Sequence, residues 1–177
     1  MKQTAKNVSP MSNEGRNTYV VEHITDTILT LLKEKPLTDI SISELCDKAG
    51  VGRVSFYRNY ESKEDIIRNK TEQIFHDWVS SCEIKDDIPL SQKLKDLFGH
   101  FEKNRDFYKL LSDRGLIYIF KDIFMDDYGA KPEDEMFMAY TKAYFASVLY
   151  GWIEVWFMRG MRDSAEDIAA LFQSQGL

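Results

Sequence analysis

Apolar positions recur at helical spacing through most of the chain. Val20, Ile24, Ile28, Leu31 and Leu32 mark one face of a first helix, which runs from Thr18 and stops before Pro36. Ser41 followed by Glu44 is a capping-box pattern and opens a second helix. Ala49-Gly50 closes it, with Gly50 suited to a left-handed turn position. Gly52 caps a third helix over 53–60, and Ser62 with Asp65 opens a fourth, striped by Ile67, Ile74, Phe75, Trp78 and Val79. Asp86, Asp87 and Pro89 interrupt the pattern and mark a hinge. Shorter helices follow near 91–104, 106–112 and 116–127, with Gly115 between the last two and Gly129-Ala130-Lys131-Pro132 ending the set. A long helix covers 133–159, and a last one is capped by Ser164 and Asp167. No alternating strand pattern of useful length, internal repeat or low-complexity tract is present.

The long helix is apolar almost all round. Phe137, Tyr144, Val148, Gly151 and Val155 share one side, and Met138, Phe145, Leu149, Trp152 and Trp156 share a second about 100° away. Ala139, Ala146, Tyr150 and Phe157 occupy a third. Such a helix must be enclosed on most faces, and a partner subunit is the natural cover. The expectation is a four-helix homodimer interface built from this helix and the next, with Leu149, Trp152, Trp156, Ile168, Leu171 and Phe172 on it.

Composition narrows the function. The chain has 177 residues, 44% hydrophobic and 29% charged, an ordinary globular balance with enough apolar material for a core. The net charge of −6 argues against a nucleic-acid partner, but its distribution softens that objection. Residues 1–80 carry 11 Lys and Arg against 12 Asp and Glu, the remainder 12 against 17. Screening limits distant charge to roughly 8 Å at physiological salt, so a local basic face suffices. Cys46 and Cys82 are too few and too unpatterned for a disulfide framework or a zinc site. His23, His76 and His100 lack metal-ligand spacing, and no nucleophile motif or phosphate-cradling glycine loop stands out. The reading is therefore no enzyme and no cofactor. Residues 1–18 hold no apolar signal segment, and the run Ala143–Met158 is broken by Glu154 and shorter than the ~18 residues of a membrane span. A cytoplasmic protein without a membrane partner is expected.

The chemistry concentrates in the second and third helices, which read as a helix-turn-helix. In that motif the second helix lies in the major groove while its neighbours clamp phosphates. Phe56 and Tyr60 fall on one side of helix 53–60 and anchor it, while Val54 and Arg58 lie roughly opposite, toward the groove. Arg53 suits a guanine edge and Val54 a thymine methyl. Ser55 and Tyr57 carry hydroxyls for phosphates, and Lys63 suits a backbone phosphate.

These residues closely resemble the DNA-binding domain of the TetR/AcrR family of bacterial transcriptional regulators. The resemblance rests on Ser41, Ala49-Gly50-Val51, Tyr57, Tyr60 and Ser62-Lys63-Glu64, and it covers about residues 18–80. Beyond them, only the helical plan and the run Gly151-Trp152-Ile153-Glu154-Val155-Trp156 are similar. The resemblance implies an all-α homodimer with a three-helix DNA-binding domain and a C-terminal domain for effector binding and dimerisation. It places Ser41, Ser55, Tyr57 and Lys63 on the DNA backbone, and Ser43, Arg53, Val54 and Arg58 at or near base edges. Gly52, Val54 and Asn59 depart from the family's usual residues, which leaves the operator sequence open.

The expected organisation is a flexible arm over 1–16, the helix-turn-helix domain over 17–62, a connecting helix over 63–85 and the effector and dimerisation domain over 86–177. The aromatic middle is core by default, and it also suits an apolar effector pocket lined by Tyr108, Phe120, Phe124, Tyr140, Tyr144 and Trp152. The functional expectation is a repressor of a palindromic double-stranded operator, released by a small apolar or aromatic molecule. The rivals are a helical adaptor acting through a protein partner and a small helical-bundle enzyme using the acidic C-terminal half.

Overall fold

The computed structural model describes residues 13–82 and 88–175, with side chains from Asn17 on. Among the described residues every regular element is helical. The order is α1 (Asn13–Glu34), a 3-10 turn (Leu37–Asp39), α2 (Ile42–Ala49), α3 (Arg53–Asn59), α4 (Lys63–Ser81), α5 (Leu90–Lys103), α6 (Arg105–Asp113), α7 (Tyr118–Tyr128), α8 (Met136–Met158) and α9 (Ala165–Ser174). Two compact units result, one ending at Ile66 and one beginning at Ile67. That division falls about a turn beyond the boundary expected at residue 62. Helix α1 begins at Asn13, so residues 13–16 are helical where a flexible arm was expected. Residues 1–12 lie outside the described residues, as do 83–87, on which part of the expected hinge falls.

In the first unit, Ile24, Ile28, Leu31 and Leu32 of α1 are almost fully buried. Leu45 and Cys46 of α2 and Phe56 of α3 are buried as well, and both short helices pack against α1. Local signals set the ends. Ser41 Oγ accepts from Glu44 N at 3.1 Å, while the Glu44 carboxylate pairs with Lys35 at 2.6 Å and Lys48 at 3.6 Å. The Lys35 bond holds Glu44 below the usual carboxylate range. Gly50 takes φ 67°, and Val51 N reaches back to Cys46 O at 3.0 Å, a closing turn that a Cβ would strain. At α4, Asp65 Oδ2 accepts from Glu61 N and Ser62 N at 2.8 Å each, and Ser62 Oγ accepts from Asp65 N at 3.2 Å. That reciprocal cap is what Ser62 and Asp65 foretold.

The second unit is built around rings. Phe101 meets Tyr108 at 4.8 Å and Phe120 at 5.2 Å, and Phe98 meets Trp156 at 5.4 Å. Ring pairs at these separations add to the burial of their area. Helix α9 packs along α5 and buries Ile168 and Phe172. Two α5 and α6 side chains fix the α8–α9 corner. Glu102 Oε1 accepts from Ala165 N at 3.0 Å, and Arg105 donates to Met161 O at 2.5 Å and Gly160 O at 3.2 Å. These bonds satisfy backbone groups that helix ends leave without partners.

One polar pair lies inside that core. His100 Nε2 and the Tyr108 hydroxyl are 2.8 Å apart, and both residues are buried. Burial, and secondarily the Lys103 charge, lowers the His100 pKa to about 4, while burial raises that of the Tyr108 phenol. His100 is therefore neutral when folded and gains a proton near pH 6.5 only on unfolding, so this contribution is full above pH 6.5 and falls toward pH 4. Between pH 7.5 and pH 5, chemical denaturation should show a loss of about 2 kcal/mol that is absent from His100→Gln. In the first unit, Phe56→Ala should lower unfolding free energy by about 3–5 kcal/mol in the same assay.

Candidate nucleic-acid interface

Helix α3 has seven residues and contains no acidic side chain. Phe56 is buried, and Tyr60 at the C-cap is 4% exposed, with a side-chain hydrogen bond to Thr25. Burial raises the Tyr60 pKa. With that side fixed inward, Arg53, Val54, Tyr57 and Arg58 stand out together, Val54 74% and Tyr57 60% exposed. At 100° per residue these four fill one continuous face of the helix. Two guanidinium groups, an apolar cap and a phenol are thereby offered side by side. Guanidinium forks match guanine edges and phosphates, and the small apolar cap suits a thymine methyl.

Structure beneath this face orients it. Arg53 donates from its guanidinium to Ser43 Oγ, tying the start of α3 to the first turn of α2. The Phe56 and Tyr57 rings meet edge to face at 5.2 Å, which braces the exposed phenol. Asn59 donates to Ser55 O at 2.8 Å and closes the last turn. Arg53 also lies near Cys46, whose thiol is raised by burial and lowered by the Arg53 charge. Six of the eight expected residues, Ser43, Arg53, Val54, Ser55, Tyr57 and Arg58, are exposed or half-exposed on α2 and α3. Ser41 is exposed as well, although its oxygen serves the α2 cap. Its hydroxyl proton is not used by that bond.

Lys63 has a task that the sequence did not show. Its ammonium donates to Leu37 O at 2.6 Å and Ile40 O at 2.5 Å, pinning the turn before α2 to the start of α4. Two of its three protons are therefore committed within the fold. The signal was hidden because the partners are backbone carbonyls more than twenty positions upstream, which no motif encodes.

The six residues expected to line an effector pocket are not brought together. Tyr108, Phe120 and Phe124 are buried and pack ring on ring, Tyr108 to Phe120 at 5.7 Å and Phe120 to Phe124 at 6.0 Å. Tyr140 and Tyr144 stand 76% and 55% exposed on α8. Trp152 is half-exposed, its ring against Phe172 at 5.3 Å. Surface grooves lie instead on the described residues of α8 and α9. One, of about 670 Å³, is lined by Gly151, Trp152, Val155, Arg159, Ile168 and Leu171 among others. Another, of about 620 Å³, lies on the first turns of α8 around Phe137, Tyr140 and Tyr144.

The expected interface set also divides. Trp156 is 1% exposed, with its indole N–H on Asp163 O at 2.8 Å, and Ile168 and Phe172 are buried. These three belong to the protomer core: Trp156 of α8 meets Phe98 of α5, and α9 turns Ile168 and Phe172 inward where it packs along α5. Leu149 and Trp152 are half-exposed and Leu171 is exposed. Among the described residues no group of three or more His, Cys, Asp and Glu is placed to hold a metal. None of the described helices is long and apolar enough to cross a membrane.

Residues 24–69 match the model of the bacterial regulatory proteins, tetR family. An uncharacterized HTH-type transcriptional regulator, YxbF of Bacillus subtilis (strain 168), is 25% identical over 146 residues, 73% of this chain and 38% of that protein. The chain thus spans about two fifths of the length of this curated relative. A TetR transcriptional regulator from Streptococcus agalactiae 2603V superposes with a TM-score of 0.61 at 20% identity, covering 92% of this chain and 96% of the other. Lin0861 from Listeria innocua superposes at 0.53 and 16% identity, covering 95% and 94%. Both likenesses concern the fold.

Lys63→Met should leave two carbonyls of the α1–α2 connection without their donor. A stability loss of about 1–3 kcal/mol in the first unit is expected. Unchanged thermal unfolding would show that water replaces the ammonium at no cost.

Proposed function

We propose that this chain, whose residues 24–69 match the model of the bacterial regulatory proteins, tetR family, is a cytoplasmic, two-fold regulator that binds a palindromic operator. The carrying observation is the single exposed face of α3, on which Arg53, Val54, Tyr57 and Arg58 stand clear of any acidic side chain of that helix. Arg53 and Arg58 read base edges from the major groove, and Val54 contacts a thymine methyl. Ser41, Ser55 and Tyr57 hold phosphates, and Lys63 donates its remaining N–H to a phosphate beside its two internal bonds. Ser43 steadies Arg53 at the edge of this surface.

The same reading makes the protein a repressor released by a small apolar or aromatic molecule. The aromatic wealth of the second unit supports an apolar ligand, which the buried rings admit by parting or the α8 grooves receive directly. Release requires that the ligand prefer the free form over the operator-bound form, by the same factor by which it weakens DNA binding.

Selection of bound fragments from genomic DNA, followed by titration at several salt concentrations, tests the proposal. Arg53→Ala and Arg58→Ala should each cost ~1–3 kcal/mol on the preferred duplex and relax base preference. If neither variant changes affinity, α3 is not the reading helix. A helical adaptor draws support from the near balance of charge over residues 1–80. Failure to select any duplex with salt-dependent affinity would favour it.

A further inference from the structure

Helix α7 is charged against its own dipole. Its last turn holds Asp126 and Asp127 and no basic side chain, although the C-terminal end of a helix favours cations. Asp122 and Asp126 add a like-charge pair at i,i+4, which is unfavourable on a helix surface. The one cation of the helix, Lys121, stands over the Tyr150 ring of α8. Taken alone, α7 gains nothing from these acids. Helix α4 supplies what offsets them.

Arg68 of α4 faces three carboxylates. Its guanidinium lies 3.5 Å from Asp122 and 3.7 Å from both Asp126 and Glu72. About two turns further on, His76 Nε2 is 2.8 Å from Asp127 Oδ2. On the same helix the Phe75 ring meets Phe120 at 5.3 Å and Tyr128 at 6.2 Å, both edge to face. The rings give the two helices an apolar contact that salt does not weaken. The ionic contacts differ, because Arg68, Asp122 and Asp126 are 35%, 50% and 73% exposed and solvent ions reach them. One guanidinium among three carboxylates also leaves a net negative cluster whenever it is drawn away.

The position of Arg68 gives the cluster its meaning. Helix α4 runs unbroken from Lys63 to Ser81, and the two compact units divide within it, between Ile66 and Ile67. Arg68 is the first charged side chain past that division. We propose that Arg68 is a salt-sensitive latch: it ties α4, whose first turn belongs to the unit carrying α3, to α7, and it raises operator affinity without touching the duplex. A helix held in place has fewer conformations to give up on binding, so the closed latch favours the operator and the open one weakens it. The inference rests on the proposed DNA-binding regulator. It adds an input, ionic strength, that needs no ligand pocket.

Amide hydrogen exchange of the free full-length chain reads the latch, and titration of a duplex selected from genomic DNA reads its effect. Arg68→Met should speed exchange of α4 and α7 amides about 5-fold at low salt. In about 1 M NaCl, where charges act only within about 3 Å, the wild type should exchange as fast as the variant. Arg68→Met should also bind the duplex about 5-fold more weakly at low salt. Asp122→Asn combined with Asp126→Asn separates the latch from plain attraction. Removing two negative charges should tighten binding if only the charge of the duplex mattered, whereas loss of the latch should weaken it about 5-fold. Exchanging the charges, Arg68→Asp with Asp122→Arg, should return affinity to within about twofold of the wild type. Equal or tighter binding by the double Asn variant would overturn the latch and leave the regulator standing. Exchange in Arg68→Met no faster than in the wild type at low salt would do the same. A wild type that selects no duplex at all would overturn the regulator, and the latch with it.

Discussion

A seven-residue helix does not persist in water alone, because nucleation costs more than a few backbone bonds return. Helix α3 exists because Phe56 and Tyr60 are buried against the first unit. That burial also decides which side faces out. Once Phe56 points inward, Arg53, Val54, Tyr57 and Arg58 have no other direction to take. Stability and presentation thus have one cause, and the proposed reading face is the reverse of the anchoring face.

Around this anchor the polar ties prevent the short elements from sliding. Ser41 fixes the start of α2, Gly50 its end, and the Ser62–Asp65 pair the start of α4. Lys63 joins the beginning of α4 to the turn preceding α2 by two short bonds. Each tie spans segments whose apolar contacts alone would tolerate a shift of register. Arg53 bonded to Ser43 is held before any ligand arrives, which lowers the ordering cost of recognition.

Legibility in the sequence followed range. Caps and stops depend on residues three or four apart, so Ser41, Gly50, Ser62 and Ser164 marked their helix ends within a residue or two. The α3 face was readable because Phe56 and Tyr60 share a side of a short helix. Contacts made only by folding were not readable: Lys63 with Leu37 and Ile40, His100 with Tyr108, Arg105 with Gly160 and Met161. Helix α8 was the hardest element. Apolar on nearly every side, it gives no periodic hint of which face the protomer takes, so Trp156 was placed outside and proved buried. Tyr108 and Tyr144 were joined in one pocket because composition reports quantity and says nothing of direction.

The central claim is that α3 reads DNA from the major groove as one of a symmetric pair. Methylation of guanine N7 blocks only contacts in that groove, so interference mapping on a selected duplex measures it directly. Two clusters of interfering guanines, related by a two-fold and about 10 base pairs apart or a multiple of that, are the predicted result. In Arg53→Ala or Arg58→Ala one guanine of each cluster should fall silent. A duplex bound with full salt dependence but without interference at any guanine would contradict the account, because binding would then rest on phosphates alone.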